Sequence, residues 1–172
     1  MVLRQSSTMF APVALWLFCA VAVADAVIEG TAGFTVRVVA LMSLLAYAAW
    51  MLLASPCLVV ETDGLRIVNP LRVHWIPFGA LDEVRVRGLT TFVAHEEAGG
   101  LRSVTSWNAP GQPRKYAAET PPVAGIIERA RAAWESRSRG VTTTAVMVTS
   151  WRVRAALVLA ALVTVNVAIW FR

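Results

Sequence analysis

The sequence is poor in the side chains that most site chemistry needs. Its 172 residues include two cysteines and two histidines. Cys19 lies within a long apolar run and Cys57 just after another, so neither has a partner at metal-ligand spacing, and a disulfide joining them would have to cross a bilayer. Lipid attachment at either cysteine lacks its small preceding residue, because Phe18 and Pro56 stand there. His95-Glu96-Glu97 has no second histidine at the spacing of a zinc-binding helix and falls in a predicted hairpin, where charged residues are ordinarily solvated. His74, beside Trp75, has no carboxylate or nucleophile placed near it by sequence. Gly99-Gly100 reads as a turn and not a phosphate cradle, since no helix start follows it. Catalysis, a metal site and a cofactor are therefore not expected, and no nucleic-acid partner is expected either.

What the chain has in abundance is apolar length. At 57% hydrophobic residues and a mean hydropathy of +0.60 it is too apolar for one soluble domain and too polar to lie wholly in a bilayer. Three windows are long enough to span hydrocarbon: residues 9–28, 35–54 and 155–171, the last about 25 Å as a helix. The first has an alternative reading as a cleaved signal peptide, with Arg4 as its positive start and Ala22-Val23-Ala24 as a small-residue cleavage site. Its length and the second span that follows at once favour a transmembrane hairpin. Arg4 precedes the first span, the turn Glu29 to Phe34 has no Lys or Arg, and Arg137, Arg139, Arg152 and Arg154 crowd the approach to the third. The positive-inside bias then puts the middle region in the cytoplasm and the C-terminus outside, with Arg37 and Arg172 dissenting. Trp151 and Trp170 bracket the third span as an interfacial pair. The expected setting is the plasma membrane, crossed several times.

Between the second and third spans the period changes from helical to two. Short strands are predicted at Leu58–Thr62, Leu65–Asn69, Arg72–Ile76, Leu81–Arg87, Thr90–Glu96 and Leu101–Trp107, with a weaker seventh at Arg114–Ala118. Asp63-Gly64 suits a two-residue hairpin with positive φ, and Asn69-Pro70 starts a turn. Connections this short make the strands antiparallel. Thr120 is a good N-cap with Pro121 at the first helical position, and Val123, Ile126, Ile127, Ala130 and Trp134 form one apolar stripe. Such a stripe needs a sheet to cover. The expected class is thus an α+β membrane protein: a hairpin of spans in residues 1–54, an antiparallel barrel or sandwich of about seven strands with a closing helix in 55–137, a linker over 138–152, and a third span in 153–172.

The string VVETDGLRIVNPLRVHWIPFGALDEVRV resembles the signature of the bacterial pleckstrin-homology (PH) domains of small membrane proteins in high-GC Gram-positive bacteria, closest to the subgroup named after low molecular weight protein antigen six. The matching pieces are Asp63-Gly64, Asn69-Pro70, Ile76-Pro77-Phe78, and Val84 with Val86, and the similarity covers roughly Cys57 to Trp134. Fifteen Arg against one Lys also fits a GC-rich genome. The resemblance implies a PH-like fold with Asp63, Gly64, Pro77 and Trp134 as structural positions. Its motif is one of packing and names no ligand.

An anionic lipid is the first ligand to weigh for such a fold. Arg85 and Arg87 alternate with Val84 and Val86, so both guanidinium groups should leave one sheet face, and Arg66, Arg72, Arg102, Arg114 and Lys115 could extend it. The first hairpin loop, Glu61-Thr62-Asp63-Gly64, is acidic where phosphoinositide-binding PH domains are basic, which argues against a headgroup-specific pocket there. The sequence therefore reads as a non-catalytic docking or scaffold module at the cytoplasmic membrane surface, serving cell-envelope processes, with the bilayer, its anionic lipids and another membrane protein as partners. An accessory subunit of a membrane transporter or complex, or an anionic-lipid-sensing module, is the alternative. Transport paths need ionisable groups at depth, whereas the spans offer Asp25, Asn166, Ser43 and Thr164, with Asp25 and Asn166 toward the outer ends. Asp25 and Arg37, flanking the short turn, are candidates for a pair that staples the hairpin, set against separate snorkelling to the headgroups.

Overall fold

The apolar runs and the alternating stretch fold into separate units. A computed structural model describes residues 1–3, 9–87, 89–96, 99–108, 122–138 and 145–171. In chain order its elements are β1 (Val2–Leu3), α1 (Phe10–Glu29), α2 (Ala32–Ala49) continued by a π-helical turn (Trp50–Ala54), β2 (Cys57–Val60), β3 (Gly64–Val68), β4 (Arg72–Pro77), a 3-10 turn (Phe78–Ala80), β5 (Leu81–Arg87), β6 (Leu89–His95), β7 (Leu101–Thr105), α3 (Pro122–Arg137), β8 (Val148–Trp151) and α4 (Val153–Trp170). Met1–Gln5 and Pro56–Trp151 form the sheet unit; Ser6–Ser55 and Arg152–Arg172 form the helical unit.

Three helices of the helical unit are long and apolar enough to cross a membrane: Phe10–Glu29, Ala32–Ala54 and Val153–Trp170. They meet through small residues and a few polar side chains. Trp16 Nε1 donates to the Ala46 carbonyl (3.0 Å), the Tyr47 hydroxyl to that of Ala155 (3.0 Å), and Asn166 Nδ2 to that of Ala40 (3.0 Å), as well as to Leu162 of its own helix (2.9 Å). Interhelical hydrogen bonds of this kind add roughly 0.6 kcal/mol each in lipid, so close packing of Cys19, Ala26, Ala49 and Ala155 carries the rest. The Asp25 to Arg37 pair weighed from sequence does not form. Ala26 faces inward while Asp25, a step of about 100° around the helix, is exposed. The turn is closed instead by the Ala26 carbonyl, which accepts from the Thr35 hydroxyl (2.6 Å) and from Gly30 N (3.1 Å). Arg37 lies 5.9 Å from the centre of the Trp170 ring.

In the sheet unit two antiparallel sheets stack around one apolar cluster. The larger has the order β1-β2-β3-β4-β8 and the smaller β5-β6-β7. Alternation fixes the faces: Leu65 and Ile67 of β3 are fully buried while Arg66 between them is exposed. Leu58, Ile76 and Phe78 join them from one side, and Phe92, Ala94 and Val104 from the other. The α3 stripe closes the cluster as its spacing requires, with Val123 and Ile127 buried and Ile126, Ala130 and Trp134 packed against it. The expected N-cap and N1 residues Thr120 and Pro121, and the weak strand Arg114–Ala118, lie outside the described residues.

Besides the absent Asp25–Arg37 pair, the sequence reading differs from the structure in two places. The stretch assigned to a linker over 138–152 contains β8, which pairs with β4 from Trp75↔Val148 to Arg72↔Trp151, and Val2–Leu3 pairs with β2. Neither short strand shows the alternation that marks its neighbours, and both pair with residues more than fifty positions away. Second, Gly64 is not at positive φ, which among the described residues only Gly99 adopts (φ 83°). Thr62 and Asp63 form the tip, closed by Glu61 N donating to Gly64 O (2.9 Å), and Gly64 opens β3. Glycine is needed there for another reason: a Cβ would sit 2.4 Å from the Ile76 carbonyl oxygen and 2.8 Å from Pro77 Cα. Trp134, at the end of the α3 stripe, is half-buried, its ring 6.2 Å from that of Phe78.

Trp134→Ala in the full chain should cost about 2–3 kcal/mol in denaturant unfolding in mild detergent, less than the ~3–5 kcal/mol of a fully buried Trp. Glu128→Ala, on the exposed face of the same helix, should stay within about 0.5 kcal/mol of the parent chain. Equal, small losses for the two substitutions would mean that α3 does not close the core.

Candidate functional site

Register decides which of the candidate arginines can act together. Arg85 lies opposite Thr91, and Arg102 opposite Ala94, three residues farther along β6. With a period of two, these positions fall on opposite faces of the three-stranded sheet. Arg85 is exposed on the outer face, beside a shallow groove whose floor includes Thr91, Ser103 and Thr105. Its Nε donates to Glu83 Oε2 at 2.8 Å. Arg102 is held by Glu96 (2.5 Å), and Arg66 of β3 by Glu61 (2.8 Å). Arg114, Lys115 and the Arg87 side chain lie outside the described residues. No single basic face emerges among the described residues: three of these arginines each carry a glutamate.

Arg72 and Arg102 both act electrostatically on His74, a residue with no partner near it in the sequence. His74 is 5% exposed, on the inward face of β4, and shares a 2.9 Å hydrogen bond between its Nδ1 and the Thr149 hydroxyl of β8. Burial pushes its pKa below the ordinary imidazole value, and the charges of Arg102 and then Arg72 push it further. The ring is therefore neutral at pH 7 and stitches β8 to β4. The signal for this site was non-local, since Thr149 sits 75 positions away.

Arg72 also reaches the end of the sheet. Its guanidinium carbon lies 4.1 Å from the centre of the Trp151 ring, the closest cation–π contact among the described residues. At the same end, the Asn69 side chain ties the β3–β4 turn to the end of β7: Nδ2 donates to the Thr105 carbonyl (3.0 Å), and Oδ1 accepts from Trp107 N (2.9 Å). Among the described residues no group of three His, Cys, Asp or Glu side chains is placed to hold a metal ion. The arrangement can fix strands and present rings and guanidinium groups to a partner. Among the described residues it includes no paired acid and base.

An imidazole that is harder to protonate in the folded than in the unfolded chain takes up its proton on unfolding. Its contribution to stability is complete above about pH 6.5, the unfolded value, and is lost as pH falls below it toward the lower folded value. The thermal midpoint of the full chain in detergent should drop between pH 7.5 and pH 5.5, and His74→Gln should flatten that drop while lowering the midpoint at pH 7.5. Parallel pH profiles for the two proteins would contradict the assignment.

Compared with protein-family models, curated proteins and solved structures, the chain matches none of them.

Proposed function

We propose that this chain is a membrane-anchored docking module. In this reading the sheet unit is a PH-like domain held at the cytoplasmic surface of the plasma membrane by three spans, with the C-terminus outside, and it recruits or organises another membrane protein in cell-envelope processes. The observation that carries the reading is the coexistence, in one chain, of three span-length apolar helices and a separately packed, helix-closed β unit. The strand order β2 to β7 followed by α3 supports the PH-like assignment, with β1 and β8 as additions. β8 offers a docking edge: it ends the five-stranded sheet, its residues Val148–Trp151 pair with β4 alone among the described strands, and Val148 is exposed, while Met147 just before it bridges to Glu96 after β6. An unpaired edge can receive a partner strand through main-chain hydrogen bonds.

Lipid binding through charge alone is the weaker part of the reading, because Arg66, Arg85 and Arg102 are ion-paired. Exposed pairs of this type leave less positive potential for an anionic leaflet. The polar side chains of the spans support anchoring over transport, since Asn166 Nδ2 bonds two helix carbonyls.

Affinity capture from mild detergent tests the proposal. A partner set should be recovered with the full chain, disappear when residues 56–151 are deleted so that Ser55 joins Arg152, and weaken several-fold for Val148→Lys. Recovery of the same set after the deletion would transfer the activity to the spans and contradict docking by the sheet unit.

A further inference from the structure

We infer that the β3–β4 end of the sheet unit is an aromatic wedge that inserts into the lipid headgroup layer, with Leu71, Trp107 and Trp151 as its apolar surface and Arg72 as its phosphate contact. This deepens the docking proposal above and rests on its reading of the helices as spans.

Both large exposed aromatic rings of the described sheet unit occur at this one end. Trp107 is 57% exposed, Trp151 59% and Leu71 40%. Three strand ends bring them together: Leu71 precedes β4, Trp151 ends β8 opposite Arg72, and Trp107 follows β7 with its backbone N bonded to Asn69. Their exposure is built in. Trp107 lies between Ser106 and Asn108, which are buried and bonded inward, Ser106 N to the Thr90 carbonyl (2.9 Å) and Asn108 Nδ2 to the Pro56 carbonyl (3.4 Å). With both neighbours and its own backbone fixed, the indole cannot turn inward to join the core. Leu71 is held likewise by the turn bond from Asn69 N to Arg72 O (2.8 Å).

The chemistry of the patch selects a lipid surface as its occupant. Tryptophan has a broad apolar body and one N–H donor, which suits the boundary between headgroups and acyl chains. A guanidinium lying on a ring face keeps its in-plane N–H groups for acceptors such as phosphate. Chain continuity supplies the third argument. Trp151 is separated from the first residue of α4 by Arg152 alone, so it lies within about 7 Å of that span's start along the chain. Cys57, opposite Val68 at the same end of the sheet, is likewise three residues from Ala54, where the second span stops. A patch joined to two spans by so few residues is kept by the chain itself within reach of the headgroup layer. It also differs from a charge-driven contact in that burial of rings resists salt.

The test uses the full chain in vesicles of phosphatidylcholine with one-quarter phosphatidylglycerol, with Cys19→Ala and Cys57→Ser as background. An environment-sensitive fluorophore is placed at Leu71→Cys, and separately at Trp107→Cys and at Ser103→Cys on the outer face of the three-stranded sheet. Lipids carrying a nitroxide near the headgroup should quench the probes at 71 and 107 at least threefold more than the probe at 103, and raising salt to 1 M should leave that ratio in place. Trp151→Ser should reduce quenching at 71 by half or more. Equal quenching at all three positions overturns the wedge, as does a probe at 71 shielded from aqueous quencher but untouched by the nitroxide lipids, which would mean that protein covers the patch. Because partner capture is measured separately, intact capture with no lipid quenching removes the wedge alone, whereas lost capture with quenching present removes the docking reading and leaves the wedge.

Discussion

The seam between the two sheets is the constraint on which the rest of the sheet unit depends. Neither sheet can bury its inner face by itself, and the residues that fill the seam, among them Leu65, Ile67, Ile76, Phe78 and Phe92, have no exposed surface. Area lost from water at a seam of this kind is the main favourable term in folding, at about 25 cal/mol per Å². Once the seam is dry, α3 has one place for its stripe, and the strand ends are held in register. The polar features follow from that register: His74 meets Thr149, Arg72 meets Trp151, and Asn69 joins the two sheets at their shared end.

The surface charges show how little composition says about function without geometry. A net charge of +5 suggests attraction to an anionic leaflet. Much of the positive charge on the described part of the sheet unit is neutralised locally, by Glu61, Glu83 and Glu96. Arg72 and Arg102 both disfavour a charge on the buried His74 ring, and Arg102 is itself paired with Glu96, so the two do not add up to an open basic patch. An interaction surface is better sought where the fold leaves apolar groups exposed that it could not bury.

Local patterns made most of the architecture legible. The three apolar runs, the strands from β2 to β7 and the α3 stripe each carry their own period within a dozen or so residues, so each could be read without knowledge of its neighbours. What escaped were the elements defined by distant partners. β8 has no alternation of its own and exists because β4 offers it an edge. Gly64 was legible as a special position, but its reason, the approach of Ile76 and Pro77 from the next strand, was not. His74 reads as isolated in the sequence because its hydrogen-bond partner comes from β8, 75 positions away. Asp25 and Arg37 were near in sequence, yet helix rotation turns them outward and leaves Thr35 to close the hairpin.

The proposed docking role requires the sheet unit to lie at the cytoplasmic face of a membrane that the helices cross. Ser103→Cys in the background lacking Cys19 and Cys57 gives one thiol on an outward-facing strand position. A membrane-impermeant maleimide should leave this thiol unlabelled in intact cells and label it fully once the membrane is permeabilised. Full labelling in intact cells would contradict the cytoplasmic assignment and place the sheet unit on the other side.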